Sequence, residues 1–277
     1  RDLRMSRGLG DVYKRQLLPS TTVERSHPQF SPDGKELAFI EDRNRLMVLN
    51  LETKKVRRIT DGSTWYSTSG GFDYAWSPDS KWFTLEFIGN KHDPYSDIGL
   101  VSAQGNGEII NLTNSGYSSG SPSFALDGNA ILFTTERYGM RAHASWGSLD
   151  DAMLVFLNQD AYDKFSLSKE DYELYKEANS DRKKVAAKDS SKVKDVVVEL
   201  KNIEDRIVRL TPNSSNMGST LISKDGKALY YLASTESGRN LWKMDLNKKE
   251  TKLLHKVDAG WTSLEMDKDC LLYTSDA

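Results

Sequence analysis

Three stretches of the sequence carry residue types that could do chemistry. Gly116-Tyr117-Ser118-Ser119-Gly120 satisfies Gly-x-Ser-x-Gly, the spacing of a hydrolase nucleophile elbow. An elbow needs a strand before the serine and a helix after it, so that the hydroxyl sits on a sharp, exposed turn. Here the match lies between Thr113 and an extended segment opening at Pro122, so an ordinary Gly/Ser turn is expected. His143, Ser145 and Asp150 or Asp151 supply the residue types of a triad, but a triad is a geometry and not a composition. Neighbours on an extended segment point to opposite faces, and nothing nearby supplies an oxyanion hole. No residue of the chain is assigned a catalytic role.

Arg137 and Arg141 are the best candidates for contacting an anion, because a guanidinium clamps a carboxylate through two parallel N–H bonds. The competing reading of each is a surface ion pair. Asp33, Asp79, Asp127 and Asp225 recur regularly, but calcium loops cluster several oxygens within one stretch. One aspartate per unit is expected instead to accept backbone N–H bonds and set a turn. A single cysteine, Cys270, and four scattered histidines build no recognisable zinc site, so no metal and no cofactor is expected.

The elements that position these residues follow from an internal repeat. Ser31-Pro32-Asp33-Gly34 recurs as Ser77-Pro78-Asp79-Ser80, Ala125-Leu126-Asp127-Gly128 and Ser223-Lys224-Asp225-Gly226, with a degenerate copy at Asp267-Lys268-Asp269-Cys270. The aspartates step by 46, 48, 98 and 44 residues, so one period carries an insertion of about 50. Alternating strands follow each copy (Leu37 to Ile40, Trp82 to Ile88, Ala130 to Thr135, Ala228 to Ala233), expected to turn one face inward and one outward. Gly34, Gly128 and Gly226 are expected to close equivalent hairpin turns, with Ser80 and Cys270 as exceptions. A second landmark ends each unit: Ile59-Thr60, Leu112-Thr113, Leu210-Thr211 and, in the fourth, Leu254-His255. Four short strands per period of about 45 residues make a β-propeller blade.

The Phe-Ser-Pro-Asp-Gly pattern, with Leu37 and Phe39 after it, resembles the WD40-like, TolB-type blade repeat. The stretches Glu136 to Ser148 and Ile203 to Pro212 resemble, more particularly, the propeller region of tricorn-type serine peptidases, the bacterial branch of the S41 class. The resemblance covers about Val23 to Lys268. It implies a parent protein that hydrolyses oligopeptides, with the propeller gating or channelling them. The family's catalytic serine and histidine lie outside the propellers, so none carries over to this chain. Arg137, Arg141, His143 and Trp146 are the candidate substrate-binding residues, with a structural or inter-domain role for Arg141 to Gly147 as the competing reading, and the resemblance makes oligopeptides and other domains of the parent the expected partners. The alternatives are a stand-alone TolB-type protein-binding propeller and the propeller of a prolyl-oligopeptidase-like hydrolase.

The fold expected is all-β, an incomplete propeller of four to five four-stranded blades with a partly helical insertion in the third. Blades are assigned to residues 17–269, interrupted at about 158–194. Within the insertion Ser168 caps a helix with Asp171 in the acidic capping-box position, and Val196-Val197-Val198 is expected to resume strand structure. Residues 1–16 and 270–277 resemble adapter-derived translation and are expected to be non-native, so Cys270 is not expected to be a functional thiol. Exposed blade edges favour self-association into a homo-oligomer. The formal charge of −2, from 38 basic and 40 acidic side chains, gives no basic field for nucleic acid. Apolar runs such as Ala152 to Leu157 fall far short of the roughly 20 residues that cross a bilayer, so no membrane partner is expected. The composition is compatible with the periplasm and with the cytoplasm.

Overall fold

The computed structural model describes residues 17–275 except 69, 90–92, 106, 142–146, 180–192, 236–237, 258–261 and 268–269. The chain divides into two compact units, the first ending at Gly71 and the second starting at Phe72.

The first unit holds one sheet, β1 (Arg25–Phe30), β2 (Glu36–Glu41), β3 (Arg45–Asn50) and β4 (Val56–Arg58), paired in chain order. Leu37, Phe39 and Leu49 form its buried cluster, with Leu17, Leu18, Met47 and Leu51 against them. Arg57 bridges β4 to β2 by two bonds to Glu36, at 2.5 and 2.6 Å.

The second unit holds three further four-stranded meanders. They are β5 (Tyr74–Trp76), β6 (Trp82–Phe87), β7 (Asp97–Ser102) and β8 (Ile110–Asn111); β9 (Ser119–Ala125), β10 (Ala130–Thr135), β11 (Asp151–Phe156) and β12 (Ile207–Arg209); and β13 (Asn216–Ile222), β14 (Ala228–Thr235), β15 (Gly238–Asp245) and β16 (Glu250–Lys256). A two-stranded sheet follows, β17 (Thr262–Asp267) with β18 (Cys270–Ser275). An antiparallel sheet of four strands in chain order is the construction of a propeller blade. The insertion sits in the third blade, between β11 and β12, and carries α1 (Gln159–Ser166) and α2 (Lys169–Ala178).

The central strands correct one expectation. Every residue of β11 is buried, and β10 is nearly so, because the sheets stack face to face and leave neither side of a middle strand to solvent. Ile131, Phe133, Met153 and Val155 pack towards Ile98 and Leu100 of the second blade. Their sequence neighbours Leu132, Leu154 and Phe156 pack towards Leu229 and Tyr231 of the fourth. Period-two alternation therefore divides these strands between two seams rather than between core and water.

The repeat motif is a hydrogen-bonded turn. The hydroxyls of Ser31, Ser77 and Ser223 donate to Asp33, Asp79 and Asp225 at 2.6, 2.5 and 2.6 Å. The same carboxylate oxygen accepts the N–H of Lys35, Lys81 or Lys227, each at 3.1 Å. Each serine hydroxyl also accepts the first N–H of the next strand, from Glu36, Trp82 or Ala228. These bonds, that from Ser223 foremost, hold the Asp225 carboxyl down at about 2. The turn ends in the left-handed region, at φ +71° for Gly34, +60° for Ser80 and +69° for Gly226. The third copy is different. Ala125 has no hydroxyl to offer, and Leu126, Asp127 and Gly128 all take positive φ in a short 3₁₀ turn, so Gly128 does not close an equivalent hairpin.

The unit-ending threonines form a second device. Thr60, Thr113 and Thr211 accept, through Oγ1, the N–H of Leu46, Ile98 and Ala152. In the second and third blades the same hydroxyl donates to the buried aspartate that opens the third strand, Asp97 at 2.6 Å and Asp151 at 2.7 Å. In the fourth blade the landmark is Val257 rather than Leu254-His255. The Val257 N–H bonds to the Arg239 carbonyl just as the Ile59 N–H bonds to that of Leu46, while Leu254 is exposed. A register shift between Leu241 and Trp242, in two longer strands, displaces the landmark by three residues.

The run Val196-Val197-Val198 is also not a strand of the third blade. It is an extended strap along the seam between the second and third blades, with Val196 and Val198 against the cluster of Ile98, Ile131 and Phe133. The Val196 N–H donates to the second carboxylate oxygen of Asp79 at 2.8 Å, and Lys81 pairs with Asp195 at 2.6 Å.

Candidate functional site

In a meander of four strands, the first and third connections lie at one end of the blade, and the second connection and the exit at the other. The candidate anion-contacting arginines belong to the β10–β11 connection, so they stand at the end opposite the repeat turns.

Gly139 fixes the path of that connection. A Cβ there would lie 1.6 Å from the Leu149 carbonyl oxygen, so only glycine permits the two sides of the loop to approach. The Leu149 N–H donates to the Met140 carbonyl at 3.2 Å, and Arg141 pairs with Ser148 in an isolated bridge. Arg141 is thereby held out from the loop, exposed, over two rings: Tyr95 of the β6–β7 connection at 5.7 Å and Tyr117 of the β8–β9 connection at 5.6 Å. The Tyr95 hydroxyl favours its charged form, raising its pKa further. Such contacts orient a guanidinium without neutralising it.

Arg137 makes a separate contact, over the Tyr138 ring at 5.6 Å. The same ring receives Arg209 at 5.0 Å, and Arg209 is tied to the buried Asp151 at 2.8 Å. Asp151 also accepts the Ser214 hydroxyl at 2.7 Å, so it is a structural anchor and not a triad member awaiting a histidine. Arg137 and Arg141 therefore share a loop but not a cradle, and among the described residues neither pairs with a carboxylate. His143, Ser145 and Trp146 lie outside the described residues.

Two carboxyl groups near this end titrate towards neutrality. Asp150 is pushed up to about 6 by burial and by the charges of Glu136 and Asp151. Glu86 is pushed up to about 7 by burial and by Asp73. Glu86 of the second blade accepts the N–H of Ser121 in the third at 2.7 Å, and the Ser121 hydroxyl donates to Asp73 at 3.1 Å.

The Gly-x-Ser-x-Gly match is a bend at Gly116 and Tyr117 that runs directly into β9. Ser119 opens β9, is buried, and donates its hydroxyl to Thr135 at 3.1 Å; a strand and not a helix follows. Among the described residues no group of three or more His, Cys, Asp or Glu is placed to hold a metal ion. Trp82 packs at the seam of the second and third blades and Trp242 at that of the third and fourth.

The aromatic partners of this end were not identified from the sequence. Tyr117 was visible only as part of a serine motif, Tyr138 as a neighbour of Arg137, and Tyr95 carries no local signal. They are recognised once three separate blade connections are seen to meet.

The chain is 26% identical over 255 residues to a protein of Sulfurisphaera tokodaii described as a tricorn-like protease C-terminal subunit, a match covering 87% of this chain and 26% of that protein. The crystal structure of the tricorn protease superposes with a TM-score of 0.61 at 12% identity, over 93% of this chain and 25% of that one. By sequence and by fold, this chain is similar to tricorn-type proteases. A TolB from Agrobacterium tumefaciens shares the fold with a TM-score of 0.53 at 15% identity, covering 87% of this chain and 65% of that one. No family model matches the chain. The tricorn-like propeller thus spans about a quarter of the length of either tricorn relative.

Proposed function

We propose that this chain is the non-catalytic propeller portion of a tricorn-like serine peptidase, passing oligopeptides towards a catalytic domain carried elsewhere in the parent. The observation that carries the reading is Arg141, exposed, without an ion pair among the described residues, and held over Tyr95 and Tyr117 where three blade connections meet, in a chain similar to tricorn-type proteases. An arginine kept charged but unpaired can receive a peptide carboxylate, and the flanking rings give apolar surface to the residue before it. Arg137, on the same loop, is a second candidate contact by its charge, and His143 and Trp146 remain candidates from the sequence alone.

Neutral oligopeptides test this directly. Labelled peptides ending in a free carboxylate are expected to bind the chain more tightly than their C-terminal amides, as read by fluorescence anisotropy. Arg141→Ala should erase that preference. Fluorogenic oligopeptides should remain uncleaved by the chain alone. Equal binding of acid and amide would overturn the role of Arg141, and turnover abolished by Ser118→Ala would overturn the non-catalytic reading. The structural likeness to TolB supports a second reading, a stand-alone protein-binding propeller. A parent gene that continues into a peptidase domain favours the first reading, and one that stops favours the second.

A further inference from the structure

We propose that Glu86 and Asp73, the two carboxyls that hold β9 at Ser121, form a proton-dependent clamp that sets the two rings beneath Arg141. Its consequence for peptide binding rests on the role proposed above for Arg141.

The clamp joins two blades. The Glu86 N–H donates to the Asp73 carbonyl at 2.9 Å, and the Asp73 N–H donates to one carboxyl oxygen of Glu86 at 3.4 Å. The other oxygen of Glu86 accepts the Ser121 N–H at 2.7 Å, and the Ser121 hydroxyl donates to Asp73 at 3.1 Å. One serine of the third blade is thus gripped by two carboxyls of the second. The gripped residue is strained. Ser121 takes φ +51° directly before Pro122, and the β9–β10 register shifts between Leu132 and Thr134. A backbone of this kind persists only while its surroundings hold it.

The grip reaches the rings through Ser119. Its N–H donates to the Ser96 carbonyl at 2.9 Å, and the Ser96 hydroxyl donates to the Ser119 carbonyl at 2.9 Å. Tyr95 adjoins Ser96, and Tyr117 stands two residues before Ser119. Both rings under Arg141 therefore hang from a pair of bonds two residues from the clamped serine.

Charge decides how firmly the clamp holds. Burial and Asp73 raise the Glu86 carboxyl to about 7, so its proton leaves in the neutral range. Ionisation then sets two like charges against one serine, and their repulsion loosens the grip. The titratable and charged side chains on the surrounding elements are few. β5 brings Tyr74, and β7 brings Asp97, itself bonded to Thr113 and Asn111. The connection after β6 brings Asp93 and Tyr95, and that after β10 brings Glu136 and Arg137, while β9 and β10 carry none.

The test has two arms, both on the full chain. In the first, without peptide, NMR follows ring-labelled tyrosines as the pH rises, with Tyr95 and Tyr117 assigned from their phenylalanine variants. Both signals should shift with a midpoint near 7. Glu86→Gln should abolish that shift, and Asp73→Asn should move it to lower pH by removing the charge that holds the proton on Glu86. In the second, a labelled peptide with a free carboxylate should bind about fivefold more tightly at pH 6 than at pH 8, the low end for coupled sites. Glu86→Gln should bind at the tighter value at both. The ratio should persist in about 0.5 M salt, where a through-space charge effect is screened. Rings that ignore the titration of Glu86 would overturn the clamp, as would a Glu86→Gln chain with the parent's pH dependence or a ratio that vanishes in salt. Each of these leaves the role of Arg141 standing. Rings that follow Glu86 while acid and amide peptides bind alike would uphold the clamp and overturn that role instead.

Discussion

Replacing Glu86 with glutamine should stabilise the protein at alkaline pH and leave it nearly unchanged in acid. The carboxyl is held by the Ser121 N–H, with the Asp73 carboxyl beside it, and a Cβ on Gly120 would lie only 2.5 Å from its Oε1. Burial and the Asp73 charge raise it from 4.5 to about 7, so the folded protein holds this proton more tightly than the unfolded chain. The stability that comes from holding it is fully present below pH 4.5 and is lost as the pH rises through about 7. A displacement of that size corresponds to about 3 kcal/mol. Glutamine keeps the acceptor oxygen and the shape but never ionises. The advantage of Glu86→Gln over the parent should therefore grow by about 3 kcal/mol between pH 4 and pH 8, most of it before pH 7. Near pH 8 this is a rise in melting temperature of about 6–12 °C. Urea unfolding at unit steps of pH measures the gap, with Asp73→Asn as a second variant that should capture part of it. A gap independent of pH, or one largest in acid, would refute the assignment of Glu86 as the strained carboxyl.

The turn geometry gives a paired prediction. Gly34→Ala, with open space for a methyl but φ at +71°, should cost about 1 kcal/mol, and Ser80→Gly at φ +60° should gain up to about the same; denaturant midpoints moving the same way for both would contradict a shared left-handed position. Gly139→Ala drives a Cβ against the Leu149 carbonyl and should open the connection that carries Arg141. Free-acid peptides should then bind no better than amides, with a stability loss of about 1–3 kcal/mol read from the same unfolding curves.

What was legible in the sequence is what is local. Serine, aspartate and glycine within four residues close their own turn, and the three copies with serine at the first position do so by the same bonds. The third copy kept the aspartate and glycine yet lost that geometry with one hydroxyl. A threonine that ends a blade is similarly self-declaring. Register is not local: the bulge opposite Trp242 moved the fourth landmark to Val257, and counting residues could not detect it. Nor could β-branched composition distinguish a blade strand from the strap at Val196, because both are extended and set alternate residues against a core cluster. Helix α1 escaped notice because its apolar residues, Ala161, Tyr162 and Phe165, make a stripe only once Phe156 lies beneath it. At the candidate site the arginine was visible and its setting was not, since Tyr95 and Tyr117 come from neighbouring connections.

The attachment of Val196 to Asp79 has a consequence for the order of assembly. The two groups are 117 residues apart, and the aspartate accepts that N–H with the oxygen left over from its own turn. β12 is synthesised after the strap, so the third blade acquires its outer strand only from chain that has already run along the second. A second blade with its Asp79 turn unformed no longer holds that carboxylate in place for the strap. The strap thus couples two neighbouring sheets, so loosening the Asp79 turn of the second is expected to loosen the segment that leads into the last strand of the third.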